Sequence, residues 1–408
     1  MCRRAIALLL AAFVAASGCT LGRQEPPAGR TDSVPGELPD GVSTGPEGAG
    51  FYQAPQAPDD AKPGDLIWAR PLPSPEGSEG YAVLHWTTTV DGRLVPVASV
   101  IFQPAGPSLT GPRPIMAWAH GTFGLGDRCA PSQGYFGGNG ASLPVVQATV
   151  AEGLVFVATD YEGLGTAGPH PYMVNQAAGR NVLDSIRAAI HFTGAKDDTP
   201  AVVMGQSQGG SAVLLAAELQ PSYAPDVRLR GSVAISVPSR LDMLDSQLSG
   251  GPYFGYVLMA IHGFQAAYPE LADDDEALTE AGHAAVERIS EECAGEILEE
   301  FENHSESEFG TGVVLDGPEF SRILAENDPG KVKTDVPIFV VHGDADDTIP
   351  AANSRELVQR YCTLGATVTA KFYPEAGHID VFFDALDDIV PFVRNRLAGT
   401  PSTSDCGA

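Results

Sequence analysis

From Tyr81 onward the chain alternates short apolar runs with longer amphipathic ones. The runs "YAVLHWTTTV" and "LVPVASVIFQP" flank an Asp-Gly pair at 91–92, which predicts a β-hairpin because glycine takes the positive φ that tight turns require. "RPIMAWAHG", "LVFVATDYEGLG", "PAVVMG", "LRGSVAISVPS", "VPIFVVHG" and "ATVTAKFYP" are apolar runs of strand length. Between them, "SLPVVQATVAEG", "AGRNVLDSIRAAIHFTG", "SQGGSAVLLAAELQ", "SRELVQRYCTLG" and "DVFFDALDDIVPFVRNRL" carry helical periodicity. Strands buried on both faces and alternating with helices predict an α/β fold: a mostly parallel sheet with helices on both faces. The hairpin adds antiparallel strands at one edge.

The alternation breaks over about 240–331. That interval is helical and acidic, as in "ELADDDEALTEAGHAAVERISEECAGEILEEFENH", and predicts a helical cap inserted at the end of the sheet where strands finish. Before the hairpin, residues 19–65 are rich in Pro, Gly and acidic residues. They predict a flexible tether, the last part of which, "FYQAPQAPDDAKPGDLIWARPL", lies along the surface of the body. The folded domain is expected to span 66–408. At the start, "MCRRAIALLLAAFVAASGC" joins two arginines to an apolar run too short to span a bilayer, the pattern of a signal peptide over 1–18. Its small-small-Cys end matches a bacterial lipobox, with Ala16 where leucine is commonest. The expectation is a lipid anchor at Cys19 and a cell-envelope lipoprotein, with plain secretion as the alternative.

Charge narrows the function. Lys and Arg total 24 against 52 Asp and Glu, a net charge of −28. Such a field excludes nucleic acid as a partner and disfavours a polyanionic substrate. Once the leader is set aside, Cys129, Cys293, Cys362 and Cys406 remain, an even number that reads as two disulfides in an exported chain, with three pairings open. No C-x-x-C occurs, and the acidic loop "HGDADDTIP" lacks the glycine and distal glutamate of an EF-hand, so neither a metal nor any other cofactor is expected.

The chemistry gathers at "GQSQGG", residues 205–210. The G-x-S-x-G spacing is common by itself in a glycine-rich chain; its place between a buried strand and a helix gives it weight. A serine on so sharp a turn needs small neighbours, and Gly205, Gly209 and Gly210 supply the room. The helix start directs free N–H groups toward Ser207, so the Gln208 backbone is one expected oxyanion donor. A hydroxyl needs a base. His378, in "YPEAGH" between the last strand and the last helix, is the candidate. His342 and His120 each precede a glycine and read as turn residues; His170 reads as a surface loop residue. The base needs an acid to fix its tautomer, and Asp344, Asp346 and Asp347 all follow a strand. The order Ser, Asp, His is that of the α/β-hydrolases. Asp160 and Glu162 in "TDYEGLG" read as structural residues of the site wall.

Taken in order, "HGT", "CAPS", "TDYEGLG", "GQSQGG", "SGGPYFGYVLMAIHG", "HGDADDTIP" and "YPEAGH" resemble the secretory lipase family of α/β-hydrolases, the group that includes the fungal lipase A type. The resemblance covers almost the whole body. It implies an α/β-hydrolase fold with a cap, Asp346 as the acid, and a second oxyanion donor in "HGT", assigned to Thr122 with Gly121 or Phe123 as alternatives. It also implies a Cys129–Cys293 disulfide, which leaves Cys362–Cys406 by elimination. The function expected is a serine ester hydrolase acting on lipids or medium- and short-chain esters through an acyl-enzyme. Acyl transfer or peptide cleavage on the same residues, and a non-catalytic binding protein of the same fold, are the competing readings.

Overall fold

The computed structural model describes residues 37–407 apart from 107, 109–110, 137–142 and 272–277. The expected signal peptide, Cys19 and the first part of the tether lie outside the described residues. The described residues form nine strands: β1 (Leu66–Leu72), β2 (Ser78–Thr88), β3 (Leu94–Pro104), β4 (Ile115–Ala119), β5 (Val155–Thr159), β6 (Ala201–Gln206), β7 (Leu229–Ile235), β8 (Ile338–Gly343) and β9 (Val368–Tyr373). They make one sheet in the order β1-β2-β3-β5-β4-β6-β7-β8-β9. β1, β2, β3 and β5 pair antiparallel, and every pair from β5–β4 to β8–β9 is parallel. The Asp-Gly hairpin joins β2 to β3 in unbroken register from Ser78↔Pro104 to Thr88↔Leu94.

The helices are α1 (Pro131–Phe136), α2 (Leu143–Ala151), α3 (Asn175–Thr193), α4 (Gln208–Tyr223), α5 (Leu244–Leu248), α6 (Gly255–Ala267), α7 (Glu280–Arg288), α8 (Ala294–Glu300), α9 (Glu306–Phe309), α10 (Thr311–Leu315), α11 (Pro318–Asn327), α12 (Ala351–Thr363), α13 (Asp380–Asp384) and α14 (Leu386–Leu397). The period-2 pleat sorts each strand between two cores. Ile115 and Ala117 of β4 and Ile338 and Val340 of β8 face α3, α4 and α12. Met116, Trp118, Phe339 and Val341, one position along, face α2, α13 and α14. A third core belongs to the helices between β7 and β8, where Phe254, Leu258, Ile261, Phe264 and Phe320 are fully buried. Leu125, Tyr172 and Met173 of the body join it, so the cap packs onto loops at the strand ends.

Two features differ from expectation. "LIWARPL" is the edge strand β1, not a surface segment, and it pairs with β2. The later part of the tether is also bound to the body. Phe51 is fully buried, Trp68 Nε1 donates to its carbonyl at 2.9 Å, and Tyr52 Oη is 2.7 Å from Ser132 Oγ. Polar composition averaged over 19–65 hides one aromatic pair, and burying a phenylalanine side chain contributes roughly 1.5–3 kcal/mol. Both sheet edges are covered. On β1, Ala69 N–H donates to Ser43 C=O and Gly45 N–H to Ala69 C=O, at 3.0 and 3.1 Å. On β9, Asp405 N–H donates to Val368 C=O at 2.7 Å, and the Asp405 carboxylate accepts from Ala370 N–H at 2.8 Å. A Cys362–Cys406 disulfide fastens that tail to α12.

Candidate active site

Ser207 joins β6 to α4 with φ 56° and ψ −124°, a conformation that costs an L-residue on the order of 1–3 kcal/mol. The surroundings enforce it. A Cβ on Gly209 would stand 1.9 Å from Ala119 O, and one on Gly205 would stand 2.2 Å from Gly209 O. Helix and strand therefore approach more closely than any side chain permits. Ser207 N–H donates to Ile235 O at 2.9 Å, which pins the turn to the end of β7.

His378 follows β9. Its Nδ1 lies 2.8 Å from Asp346 Oδ2. An ionised carboxylate only accepts, so Nδ1 carries the hydrogen and Nε2 is left able to take a proton. The two strand ends are tied together: Gln206, the residue before Ser207, donates its side-chain Nε2–H to His378 O at 2.7 Å. Asp346 follows β8, and its side chain is fully shielded from solvent. Oδ1 accepts the N–H groups of Thr348 and Ile349 at 2.9 and 2.8 Å. Burial pushes its pKa up, but the hydrogen bonds from His342 and His378, the His378 charge and the Ile349 N–H outweigh it. The carboxyl is held well below the usual range, so it stays charged. The flanking Asp344 pairs instead with Arg355 on α12, and Asp347 accepts from Thr348 Oγ1 and from Tyr253 Oη of the cap.

The "HGT" loop reaches the same place. A Cβ on Gly121 would lie 3.6 Å from Ser207 Cβ. Thr122 Oγ1 is 2.8 Å from Tyr172 Oη, so its hydroxyl is shared with the cavity wall. Gln208 heads α4, where its N–H has no carbonyl a turn earlier to accept it. The Gln208 side chain is buried against His170, Nε2 to Nε2 at 3.3 Å. His170 is therefore a core residue and not a surface one. Its loop folds back so tightly that a Cβ on Gly163 would stand 2.3 Å from Pro169 O, and burial lowers the His170 pKa to about 3.

His342 also differs from the sequence reading. Besides ending a strand, its ring reaches Asp346, with Nε2 3.1 Å from Oδ2. Nothing in "HGDADD" separates a histidine that shapes a turn from one that touches the acid four residues on; only the path of the loop does. Asp160 and Glu162 brace the wall. Asp160 accepts from Ser132 N–H at 2.9 Å and from Ser132 Oγ, and burial raises its pKa to about 7 against those bonds. Glu162 N–H donates to Asn181 Oδ1, and its carbonyl accepts from His170 Nδ1.

The cap and the loop that follows β4 are stapled. Cys129 and Cys293 form a disulfide; Leu125 N–H donates to Glu292 O at 3.0 Å and Ala294 N–H to Phe123 O at 2.8 Å. Gly124 is needed there, since a Cβ would meet Cys293 Cα at 2.5 Å. Over Ser207 the cap leaves a cavity of ≈ 10 Å³, walled by Tyr172, Leu244, Leu248, Tyr256 and Ile349. A far larger groove of ≈ 930 Å³, beside Tyr52, Arg70 and Trp86, holds none of these residues. Size therefore does not single out the candidate site; Ser207, Asp346 and His378 follow β6, β8 and β9, away from that groove.

The profile of the secretory lipase family matches residues 139–405. Lipase 1 of Candida albicans is 24% identical over 392 residues, covering 87% of this chain and 81% of that one. The closed-state crystal structure of Candida antarctica lipase A superposes with a TM-score of 0.78 at 23% identity, covering 88% and 87% of the two chains. A rice cell wall degrading esterase from Xanthomonas oryzae superposes at 0.67 with 19% identity, covering 84% and 100%. With the profile spanning well over half of its length, the chain belongs to the secretory lipase family of exported carboxylic ester hydrolases.

Proposed function

We propose that Ser207, His378 and Asp346 form a catalytic triad that hydrolyses lipid or medium- and short-chain esters through an acyl-enzyme. Ser207 Oγ attacks the ester carbonyl while His378 Nε2 takes its proton. The negative oxygen that forms is held by the N–H groups of Gln208 and Thr122. As the intermediate collapses, the C–O bond to the alcohol breaks and His378 returns the proton to the leaving oxygen. Water then repeats the sequence on the acyl-serine and releases the acid. Asp346 keeps Nδ1 protonated throughout. The observation that carries this reading is the 2.8 Å bond between His378 Nδ1 and a buried, ionised Asp346, one tied strand end away from the strained Ser207 turn. Replacing Ser207→Ala is expected to abolish hydrolysis of nitrophenyl esters and labelling by a fluorophosphonate probe. Full activity in that variant overturns the proposal.

A cavity of ≈ 10 Å³ has room for about one water, whereas ligand pockets run to roughly 300–1,000 Å³. Seating an acyl chain over Ser207 therefore requires the side chains that wall this cavity, Tyr172, Leu244, Leu248 and Tyr256 among them, to give way. At the other end of the chain, lipidation at Cys19 would hold the enzyme at a membrane. Metabolic labelling with a fatty acid, lost in Cys19→Ser, tests that anchor; an unlabelled parent chain leaves plain secretion.

A further inference from the structure

We propose that His342 is a positioning residue for this hydrolysis: its imidazole holds the Asp346 carboxylate in the orientation that serves His378. The proposal rests on the triad reading above. His342 is fully buried at the end of β8. Nε2 stands 3.1 Å from Asp346 Oδ2 and 3.0 Å from Ile349 O. Both partners are acceptors, so Nε2 carries the hydrogen. Nδ1 then accepts from the buried Ser354 hydroxyl on α12, 2.6 Å away. A directed chain results, from Ser354 to His342 to Asp346, which meets the His378 Nδ1–H on the same oxygen.

A carboxylate has about four acceptor sites. In Asp346 two are filled on Oδ1 by backbone N–H groups and two on Oδ2 by imidazoles, His342 sharing its one N–H between Oδ2 and the Ile349 carbonyl. Three of the four donors belong to the strand end and loop that carry Asp346; only His378 belongs to the reacting machinery. His342 thus leaves His378 the one remaining direction. It also spreads the charge of Oδ2 over two donors, which restrains how strongly the acid stabilises a protonated His378. The other titratable groups around the carboxylate are Asp344, paired with Arg355; Asp347, bonded to Thr348 and Tyr253; and Glu375 and Asp380, which flank His378 in sequence.

The test compares His342→Leu, which removes the donor, with His342→Gln, whose side-chain amide restores one. The readout is the pH profile of kcat/KM on a nitrophenyl ester, with Tm measured alongside. Losing one donor leaves Asp346 more basic and gives His378 all of Oδ2. The acid limb is therefore expected to move up by about one pH unit in His342→Leu and to stay near the parent position in His342→Gln. A fall in Tm with an unmoved acid limb assigns His342 to core packing and overturns the proposal; equal displacement in both variants overturns the donor role. Should His342→Leu fail to fold, His342→Phe, a ring of similar shape that carries no donor, takes its place, and a limb that stays put there overturns the proposal as well. Fluorophosphonate labelling of the parent chain separates the two levels. An unlabelled Ser207 sinks the triad, whereas a labelled Ser207 with an unmoved limb sinks only His342.

Discussion

Two buried aspartates, one in the acid loop and one in the cap, are driven in opposite directions. Asp346 accepts from four donors and is held below the ordinary carboxylate range against its burial. Asp245, on α5, accepts from Thr311 Oγ1 at 2.9 Å, while among the described residues its buried Oδ2 has no donor. Glu306 of α9 faces it, and the two carboxyls converge over Gly312, where a Cβ would stand 2.8 Å from Asp245 Oδ2 and 3.3 Å from Glu306 Oε2. Burial, then Glu306, push the Asp245 pKa up to about 7. Removal from water is common to both sites. What separates them is the supply of hydrogens: where the chain provides donors the carboxylate keeps its charge, and where burial is joined by a second carboxylate Asp245 holds its proton more tightly.

The comparison breaks most severely at the acid loop. Asp346→Asn keeps the shape but replaces a charged acceptor with an amide that fixes the wrong His378 tautomer. A loss of about 10⁴ in kcat is expected, measurable on a nitrophenyl ester with little change in KM. In the cap the same substitution has the opposite tendency. The folded pKa of Asp245 is raised, so between about pH 4 and pH 7 the folded chain holds a proton that the unfolded chain has released, and stability falls as pH rises through that window. Asp245→Asn removes that slope. Its Tm relative to the parent is expected to rise between pH 4 and pH 8 by a few degrees, on the scale of roughly 2–4 °C per kcal/mol for a large domain. A relative Tm that does not change with pH would remove the raised Asp245 pKa from the account. The smallest effect is sought in Thr311→Val, which removes the hydroxyl that donates to Asp245 Oδ1. A loss of about 1–2 kcal/mol is expected from denaturant unfolding at pH 8.

The sheet was legible because its strands are short apolar runs and its helices periodic, and the candidate site could be marked out because Ser207, Asp346 and His378 each follow a strand within a distinctive string. What escaped depended on where loops travel. β1 carries an Arg-Pro pair and reads as irregular, yet its alternate residues face the sheet's cores. Phe51 and Tyr52 were diluted by the polar residues around them. Gln206 bonds a carbonyl 172 positions away, and His170 and His342 find their partners only once their loops are folded. The carboxyl pair of the cap joins residues 61 positions apart in an interval that the sequence marks only as helical and acidic.

The covered sheet edges matter for how copies of the chain behave in a crowd. A bare edge strand offers its N–H and C=O groups to any neighbour and seeds stacking between molecules. On the β9 side that row is occupied by Ser404 and Asp405, and the cover is fastened by a bond that reductants cut. The Cys362–Cys406 bridge thus bears on colloidal behaviour: reducing it is expected to free the strip and open a template for self-association, whereas Ser207 and Asp346 follow β6 and β8, inside that edge.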